Sequence, residues 1–194
     1  MQKIGLFFGT FNPIHNGHLK IAEFFTNKKD IDSVWFVITP KNPFKNNFEM
    51  LSNECRFELV SRAISNIPKL EISTVEFDLP KPNYTYRTLE KLKLDYPKKK
   101  FILLLGEDNM TLFNHWKDYN KILDNYELYI YPRKTNRIID KNLQKHPKIN
   151  WVNSPKIEIS SSMIRDNIKL GIDMSQSIPK KSWFYIKENS FYKS

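Results

Sequence analysis

Two histidines three residues apart, His15 and His18, follow a glycine turn near the start of the chain. The apolar run before the turn predicts a strand that ends at Gly9, and the histidines lie where the next helix begins. Residues spaced by three share one face of a helix, so both imidazoles can reach the same ligand. Glycine lets the backbone approach that ligand closely, and a helix start offers unpaired N–H groups and a positive dipole end. The segment therefore predicts a site for a large anion such as a nucleoside triphosphate.

A second glycine turn, Gly106-Glu107-Asp108, follows another apolar run in the same way. If the two runs are neighbouring parallel strands, both turns open onto one crevice, where Asp108 can accept hydrogen bonds from a ribose hydroxyl. The alternative for Asp108 is a helix cap directly after a strand. The pairing of the two turns favours the ribose role.

Three serines at a predicted helix start form a third candidate site, with an arginine about one turn later. Hydroxyl groups, free backbone N–H groups and a guanidinium together suit a phosphate. A serine helix cap beside a solvated arginine is the alternative. Because the histidine turn is also present, we favour the phosphate role. The residues of this motif are Ile159, Ser160, Ser161, Ser162 and Arg165.

Apolar runs alternate with amphipathic segments, and this alternation predicts the elements that position the candidate residues. It predicts an α/β fold, a doubly wound, Rossmann-like parallel sheet with helices on both faces. With the strand order 3-2-1-4-5, the first and fourth strands are neighbours, and both glycine turns lie where the strand order reverses. The predicted strands are Lys3–Phe8, Ser33–Thr39, Leu70–Phe77, Lys100–Leu105, Glu127–Tyr131 and Ile149–Val152. The predicted helices are His18–Thr26, Ser52–Ile67, Thr85–Tyr96, Ser161–Leu170 and Pro179–Glu188.

No repeat or linker divides the sequence, so we expect a single domain over residues 1–194. Its helical C-terminal part, from about residue 155, carries the serine motif. Two loops stand out, Pro40–Glu49, rich in Pro, Asn and Lys, and Pro132–Pro147, long and basic. Loops of this kind can close over a substrate.

The composition is that of a globular protein, with 40% apolar and 14% aromatic residues. No apolar run approaches the roughly 18 residues of a membrane span, and the first residues do not resemble a signal peptide. A single cysteine, Cys55, excludes an internal disulfide and a cysteine-rich metal site, so we expect a cytoplasmic protein. The net charge of +10 raises nucleic-acid binding as an alternative, but the basic residues are scattered. We therefore expect a polyanionic small substrate, and neither a nucleic acid nor a membrane as partner.

The motifs together resemble the HxGH nucleotidyltransferase superfamily. They read Gly-Thr-Phe-Asn-Pro-x-His-x-Gly-His at residues 9–18 and Ile-Ser-Ser-Ser-x-Ile-Arg at residues 159–165. Within the superfamily, the resemblance to bacterial nicotinate-nucleotide adenylyltransferases extends over nearly the whole chain. It rests on three segments. They are Asn-Tyr-Thr-Tyr-Arg-Thr-Leu at residues 83–89, Gly-Glu-Asp at 106–108 with Asn-His-Trp at 114–116, and Tyr-Pro-Arg at 131–133. Asn12 departs from the aspartate that is commonest in the first motif, and Ser162 stands where threonine is usual.

The resemblance implies a role for each candidate residue. His15 and His18 would be catalytic and contact the ATP phosphates, and His18 would stabilise charge on the α-phosphate. Trp116 would stack on the pyridine ring of the acceptor, although an isolated Trp or Tyr is more often a packing residue. The residues that would bind ATP are Gly9, Thr10, Phe11, Gly17, Gly106, Asp108, Ile159, Ser160, Ser161, Ser162 and Arg165. Those that would bind nicotinate mononucleotide are Lys45, Tyr84, Thr85, Trp116 and Arg133.

The implied reaction moves AMP from ATP to nicotinate mononucleotide and yields deamido-NAD and pyrophosphate, a step of NAD biosynthesis. It needs no general base, because the attacking phosphate oxygen is already anionic. Mg²⁺ would be held by the ATP phosphates and water, since the sequence shows no dedicated carboxylate cage. The alternatives are an enzyme that uses nicotinamide mononucleotide or phosphopantetheine, an aminoacyl-tRNA synthetase fragment, and a non-catalytic nucleotide- or RNA-binding module. The sequence leaves the oligomeric state open, a homo-oligomer included.

Overall fold

One parallel sheet of six strands organises the residues that this computed structural model describes, which are 1–27, 30–40 and 50–193. Its order is β3-β2-β1-β4-β5-β6, and each pair of neighbouring strands is parallel. The predicted doubly wound α/β fold is confirmed, and so is the prediction that the first and fourth strands are neighbours. The strands are β1 (Gln2–Gly9), β2 (Ser33–Ile38), β3 (Leu70–Ser73), β4 (Lys99–Gly106), β5 (Glu127–Tyr131) and β6 (Ile149–Trp151).

Helices cover both faces of this sheet. Ser52 caps the second helix, since its hydroxyl accepts a hydrogen bond from the Cys55 backbone N–H at 3.2 Å. Gly171 follows the seventh, and its φ of 75° turns the chain away from the helix axis. In the described ranges no helix is long and apolar enough to cross a membrane. The helices are α1 (Asn16–Thr26), α2 (Asn53–Ile64), α3 (Thr85–Asp95), α4 (Glu107–Met110), α5 (Tyr119–Asn125), α6 (Lys141–Gln144), α7 (Ser161–Lys169) and α8 (Lys180–Glu188).

Two apolar layers hold the helices on the sheet. One lies between the sheet and α1, α2, α7 and α8, and it includes Phe25, Leu59 and Ile164. The other lies under α3 and α5 and includes Leu89 and Ile122. Strand β2 is buried along its whole length, as expected for an inner parallel strand covered on both faces.

The structure differs from the sequence prediction at short elements. The third strand ends at Ser73 instead of Phe77, because the chain turns into a 3₁₀-helix at Val75–Phe77. Helices α4, α5 and α6 are missing from the prediction, since four to seven residues carry too little of the helical period. Of the two predicted loops, Pro132–Pro147 contains α6, and residues 41–49 of the other lie outside the described residues.

Candidate active site

The turn after β1 lies at the carboxyl end of the sheet, beside the end of β4. Phe11 has a φ of 46°, in the left-handed region that residues other than glycine rarely adopt. Its ring folds back over Gly9, where an added Cβ would lie 2.8 Å from the ring. The buried ring also packs edge-on against Phe36 and His18, with centroids 5.2 and 5.1 Å away. Gly9 and Phe11 thus form one packed wall beside the histidines.

The two histidine rings stack on each other at the start of α1. Their centroids are 3.6 Å apart and their planes meet at 22°. The backbone N–H of His15 donates to Nδ1 of His18 at 3.2 Å, so a neutral His18 ring carries its proton on Nε2. His15 is 3% exposed, and its Nδ1 has no hydrogen-bond partner within the described part of the chain. A buried polar atom without a partner is unfavourable for folding.

Burial lowers the pKa of both imidazoles, and neighbouring charge adds to the effect. The pKa of His15 falls to about 3, first because of burial and then because of the Arg133 guanidinium. Burial, His15 and Arg133 hold the pKa of His18 well below its ordinary value. Both rings are therefore neutral at pH 7 in the protein alone. A bound triphosphate brings opposite charge, which raises both pKa values from these low positions.

Arg133 reaches from the segment after β5 into the cleft that contains the histidines. Its Nε lies 3.6 Å from Asp108 Oδ2, so it links the turn after β4 to that cleft. Both side chains are more than one third exposed, so the ion pair is weak and either group can turn to a ligand. Gly106, not Asp108, occupies the cap position of α4, which leaves the Asp108 carboxylate at the crevice. The other residues that line the cleft are Phe7, Gly17, Ile21, Tyr131, Ile157 and Ile159.

The serine motif is bonded directly to the histidine turn. Ser161 Oγ donates to the Pro13 carbonyl at 2.9 Å, and Arg165 Nη1 donates to the Asn12 carbonyl at 2.8 Å. These bonds join residues 148 and 153 positions apart in the sequence. The two motifs therefore lie side by side, with the Arg165 guanidinium at the histidine turn.

The remaining residues of the serine motif divide between helix and cleft. Ser160 Oγ accepts a hydrogen bond from the Met163 backbone N–H at 3.2 Å and so caps α7. Ser162 is exposed in the first turn of that helix, and Ile159 lines the cleft. The cap role that the sequence leaves open for a serine is thus taken by Ser160.

The segment expected to bind the acceptor begins α3. Tyr84 occupies the cap position and Thr85 is the first helical residue, with no acidic side chain in the first turn. The N–H groups and positive dipole end of α3 therefore suit an anion. Trp116 follows a 3₁₀ turn and packs, half-buried, on Phe113 with ring centroids 5.2 Å apart. Lys45, the remaining acceptor candidate, lies outside the described residues.

The histidine turn is supported from behind by side chains to which the sequence motifs assign no role. Asn12 Oδ1 accepts hydrogen bonds from the Leu51 backbone N–H at 3.2 Å and the Tyr192 hydroxyl at 2.8 Å. Arg56 Nη1 donates to the Thr10 carbonyl at 2.7 Å. Tyr192 lies 180 positions from Asn12, so no local pattern indicates the contact. Arg56 could have been noticed from the sequence, because this charged residue lies on the apolar face of α2.

Gly17→Ala is expected to lower kcat/KM for ATP by about 10- to 100-fold, the size of effect that follows from small misplacement of reacting groups. A Cβ at Gly17 would overlap the Ile157 side chain and lie 3.0 Å from His15 Nδ1. Alanine is the better helix former by about 1 kcal/mol, so a loss of activity would not reflect a weaker helix. Steady-state kinetics on the purified variant checks this, with Gly171→Ala, at a strained position outside the cleft, as the control. Unchanged kcat/KM in Gly17→Ala would contradict the placement of this helix start against the nucleotide.

Comparisons with known proteins bear on the family and the fold. A family model described as cytidylyltransferase-like matches residues 6–167. The chain is 44% identical over 192 residues to a protein of Flavobacterium johnsoniae named probable nicotinate-nucleotide adenylyltransferase. The match covers 99% of this chain and 100% of that protein. A protein of the same name from Flavobacterium psychrophilum is 46% identical, with the same coverage. Among solved structures, the same fold is found in Plasmodium falciparum nicotinic acid mononucleotide adenylyltransferase complexed with NaAD. The TM-score is 0.82 at 23% sequence identity, and the match covers 99% of this chain and 98% of that one.

Proposed function

The chain belongs to the cytidylyltransferase-like family, among its nicotinate-nucleotide adenylyltransferases, and from that premise we propose that it transfers AMP from ATP to nicotinate mononucleotide. One observation carries the proposal beyond family membership. The stacked pair His15 and His18 lies with Arg133 in a cleft at the point where the strand order reverses. Such crevices are where open α/β sheets bind nucleotides.

The reaction is a direct displacement at the α-phosphorus of ATP. A phosphate oxygen of nicotinate mononucleotide attacks, a new P–O–P bond forms, and the bond from the α-phosphorus to the α,β-bridging oxygen breaks. The electron pair of that bond leaves with pyrophosphate, and the product is deamido-NAD. Because the attacking oxygen is already anionic, the protein contributes positioning and charge stabilisation instead of proton abstraction.

The histidines supply this stabilisation. Nε2–H of His18 is a fixed donor, because Nδ1 already accepts the His15 backbone N–H. Negative charge that grows on the α-phosphate in the transition state strengthens a hydrogen bond from this donor. The Arg133 guanidinium lines the cleft, and the Arg165 guanidinium donates to the Asn12 carbonyl of the histidine turn. Both groups add positive charge. We also assign Arg133 to the phosphate of the acceptor, which must approach the α-phosphorus.

Mg²⁺ enters this proposal as part of the ATP substrate. In the described ranges no three His, Cys, Asp or Glu side chains lie close enough together to hold a metal ion. We propose that the cation is held by the ATP phosphates and by water. When bound, the cation neutralises charge on the leaving pyrophosphate.

The start of α3 fits the carboxylate of nicotinate better than the amide of nicotinamide. A carboxylate accepts hydrogen bonds from the backbone N–H groups at Thr85 and gains from the helix dipole, whereas a neutral amide gains little from the dipole. We assign Tyr84 and Trp116 to the pyridine ring, with Trp116 as the stacking surface. Lys45 stays a candidate for the anionic groups of the acceptor.

Pyrophosphate release in the presence of ATP, Mg²⁺ and nicotinate mononucleotide tests the proposed reaction. We expect release that depends on the acceptor, stops when the cation is chelated, and matches deamido-NAD mole for mole in chromatography. Release of pyrophosphate without acceptor, or no release at all, would contradict the proposal. The latter result would favour a nucleotide-binding module without catalytic activity.

A further inference from the structure

Arg56 is a charged side chain with no exposure to solvent, in the first half of α2. Burial lowers its pKa only to about 10, so the guanidinium stays charged at neutral pH. Among the described residues no carboxylate lies within ion-pair distance of it. A buried charge without an opposite partner is unfavourable for folding, and an apolar side chain of similar volume is often the more stable choice. Its presence therefore calls for a reason other than stability.

All five N–H donors of Arg56 are used in hydrogen bonds. Nε donates to the Leu51 carbonyl at 3.1 Å. Nη1 donates to the carbonyls of Thr10 and Thr39 at 2.7 and 2.8 Å. Nη2 donates to the Pro40 carbonyl at 3.2 Å and to Asn53 Oδ1 at 2.5 Å. Four of the five acceptors are backbone carbonyls, so the guanidinium holds main chain and not other charges.

Those carbonyls belong to the segments that surround the active site. Thr10 lies in the turn that leads to the histidines, and its neighbour Gly9 accepts a hydrogen bond from the Thr39 backbone N–H at 2.9 Å. Thr39 and Pro40 follow β2, and Leu51 precedes α2. Arg56 thus fixes both flanks of residues 41–49, which include the acceptor candidate Lys45, and ties them to the nucleotide turn.

We propose that Arg56 is a positioning residue, which keeps the Thr10 turn and the two flanks of residues 41–49 in a fixed relation to each other. It reaches neither substrate directly, and it acts through the carbonyls that it holds. A planar guanidinium with five N–H donors can bond all of these acceptors at once, whereas a lysine offers three donors on a single atom. This inference rests on the proposed adenylyl transfer, in which the turn aligns the α-phosphate and the flanks align the acceptor.

The test is Arg56→Lys, which keeps the charge and removes most of the hydrogen bonds. We expect kcat to fall by about 100-fold, the loss that a misplacement near 1 Å produces, with KM for ATP changed far less. Arg62→Lys on the same helix is the matched control, because Arg62 pairs with Glu58 at the surface. It is expected to keep the kcat of the wild type. Kinetics is measured at a temperature where circular dichroism shows each variant to be folded, which separates positioning from stability.

A second variant covers the case in which Arg56→Lys does not fold. Asn53→Ala leaves Arg56 in place and removes one of its five acceptors, so a smaller loss of kcat is expected in a folded protein. The positioning role would be overturned if a folded Arg56→Lys variant kept the wild-type kcat. If Arg56→Lys does not fold, wild-type kcat in Asn53→Ala would overturn it instead. An inactive wild-type protein in the same assay would instead contradict the proposed function, so the two failures are distinguishable.

Discussion

Replacing His18 with alanine is expected to lower kcat by about 100- to 1,000-fold, the loss seen when a preorganised donor to a developing oxyanion is removed. The ring is held by its stack on His15 and by the His15 backbone N–H, so Nε2–H points in a fixed direction at no further ordering cost. In the proposed mechanism its bond to the α-phosphate would strengthen only as charge develops, so kcat and kcat/KM should fall together. Steady-state kinetics at saturating acceptor measures both.

His146→Ala is the control for the His18 variant. His146 is also a partly buried histidine with a ring nitrogen that accepts a backbone N–H, from Lys148 at 3.2 Å, but it lies outside the cleft. We expect the control to keep the wild-type rate. A folded His18→Ala protein that turns over at the wild-type rate would remove His18 from the mechanism.

Trp116→Ala is expected to raise KM for nicotinate mononucleotide with little change in kcat. Stacking of a base on an aromatic side chain contributes about 1–3 kcal/mol, which corresponds to a KM increase of about 5- to 150-fold for a similar pyridine stack. Because the interaction is equal in ground and transition states, it affects binding and not the chemical step. KM for ATP, measured at saturating acceptor, should stay close to the wild-type value.

Two variants separate stacking from packing at this position. Trp116→Phe keeps an aromatic face and the contact with Phe113, so it should recover much of the lost affinity. Trp151→Ala removes an exposed indole on β6, far along the sheet from the β1–β4 junction, and should leave both KM values unchanged. An unaltered acceptor KM in Trp116→Ala would show that Trp116 only packs against its neighbours.

Local sequence was enough to predict the histidine turn after β1, the parallel sheet, and the position of the two glycine turns on neighbouring strands. Gly9 and Gly106 each follow an apolar run, and parallel strands bring their carboxyl ends to one edge of the sheet. The Ser52 cap and the Gly171 helix end also rest on interactions within a few residues, and both were predictable for that reason. Helix α5 was not, because it is seven residues long and begins after Asp118 with a left-handed backbone.

The supporting contacts of the site depend on tertiary structure, and sequence patterns do not contain them. Nothing local distinguishes Arg56 among 31 lysines and arginines except its place on an apolar helix face. The link from Arg133 to Asp108 and the histidines joins three segments that meet only in the folded sheet. The contact between Tyr192 and Asn12 spans nearly the whole chain. Sequence patterns therefore identify the candidate binding residues better than the residues that hold them in place.

The choice of acceptor is the most direct test of the proposed adenylyl transfer to nicotinate mononucleotide. The purified protein is incubated with ATP and Mg²⁺, and with nicotinate mononucleotide, nicotinamide mononucleotide or phosphopantetheine in separate reactions, and initial rates of pyrophosphate release give kcat/KM for each. We predict that nicotinate mononucleotide is strongly preferred and that deamido-NAD is the product, because we assign the carboxylate to the start of α3. Equal kcat/KM for the nicotinate and nicotinamide mononucleotides, or a higher value for phosphopantetheine, would contradict it.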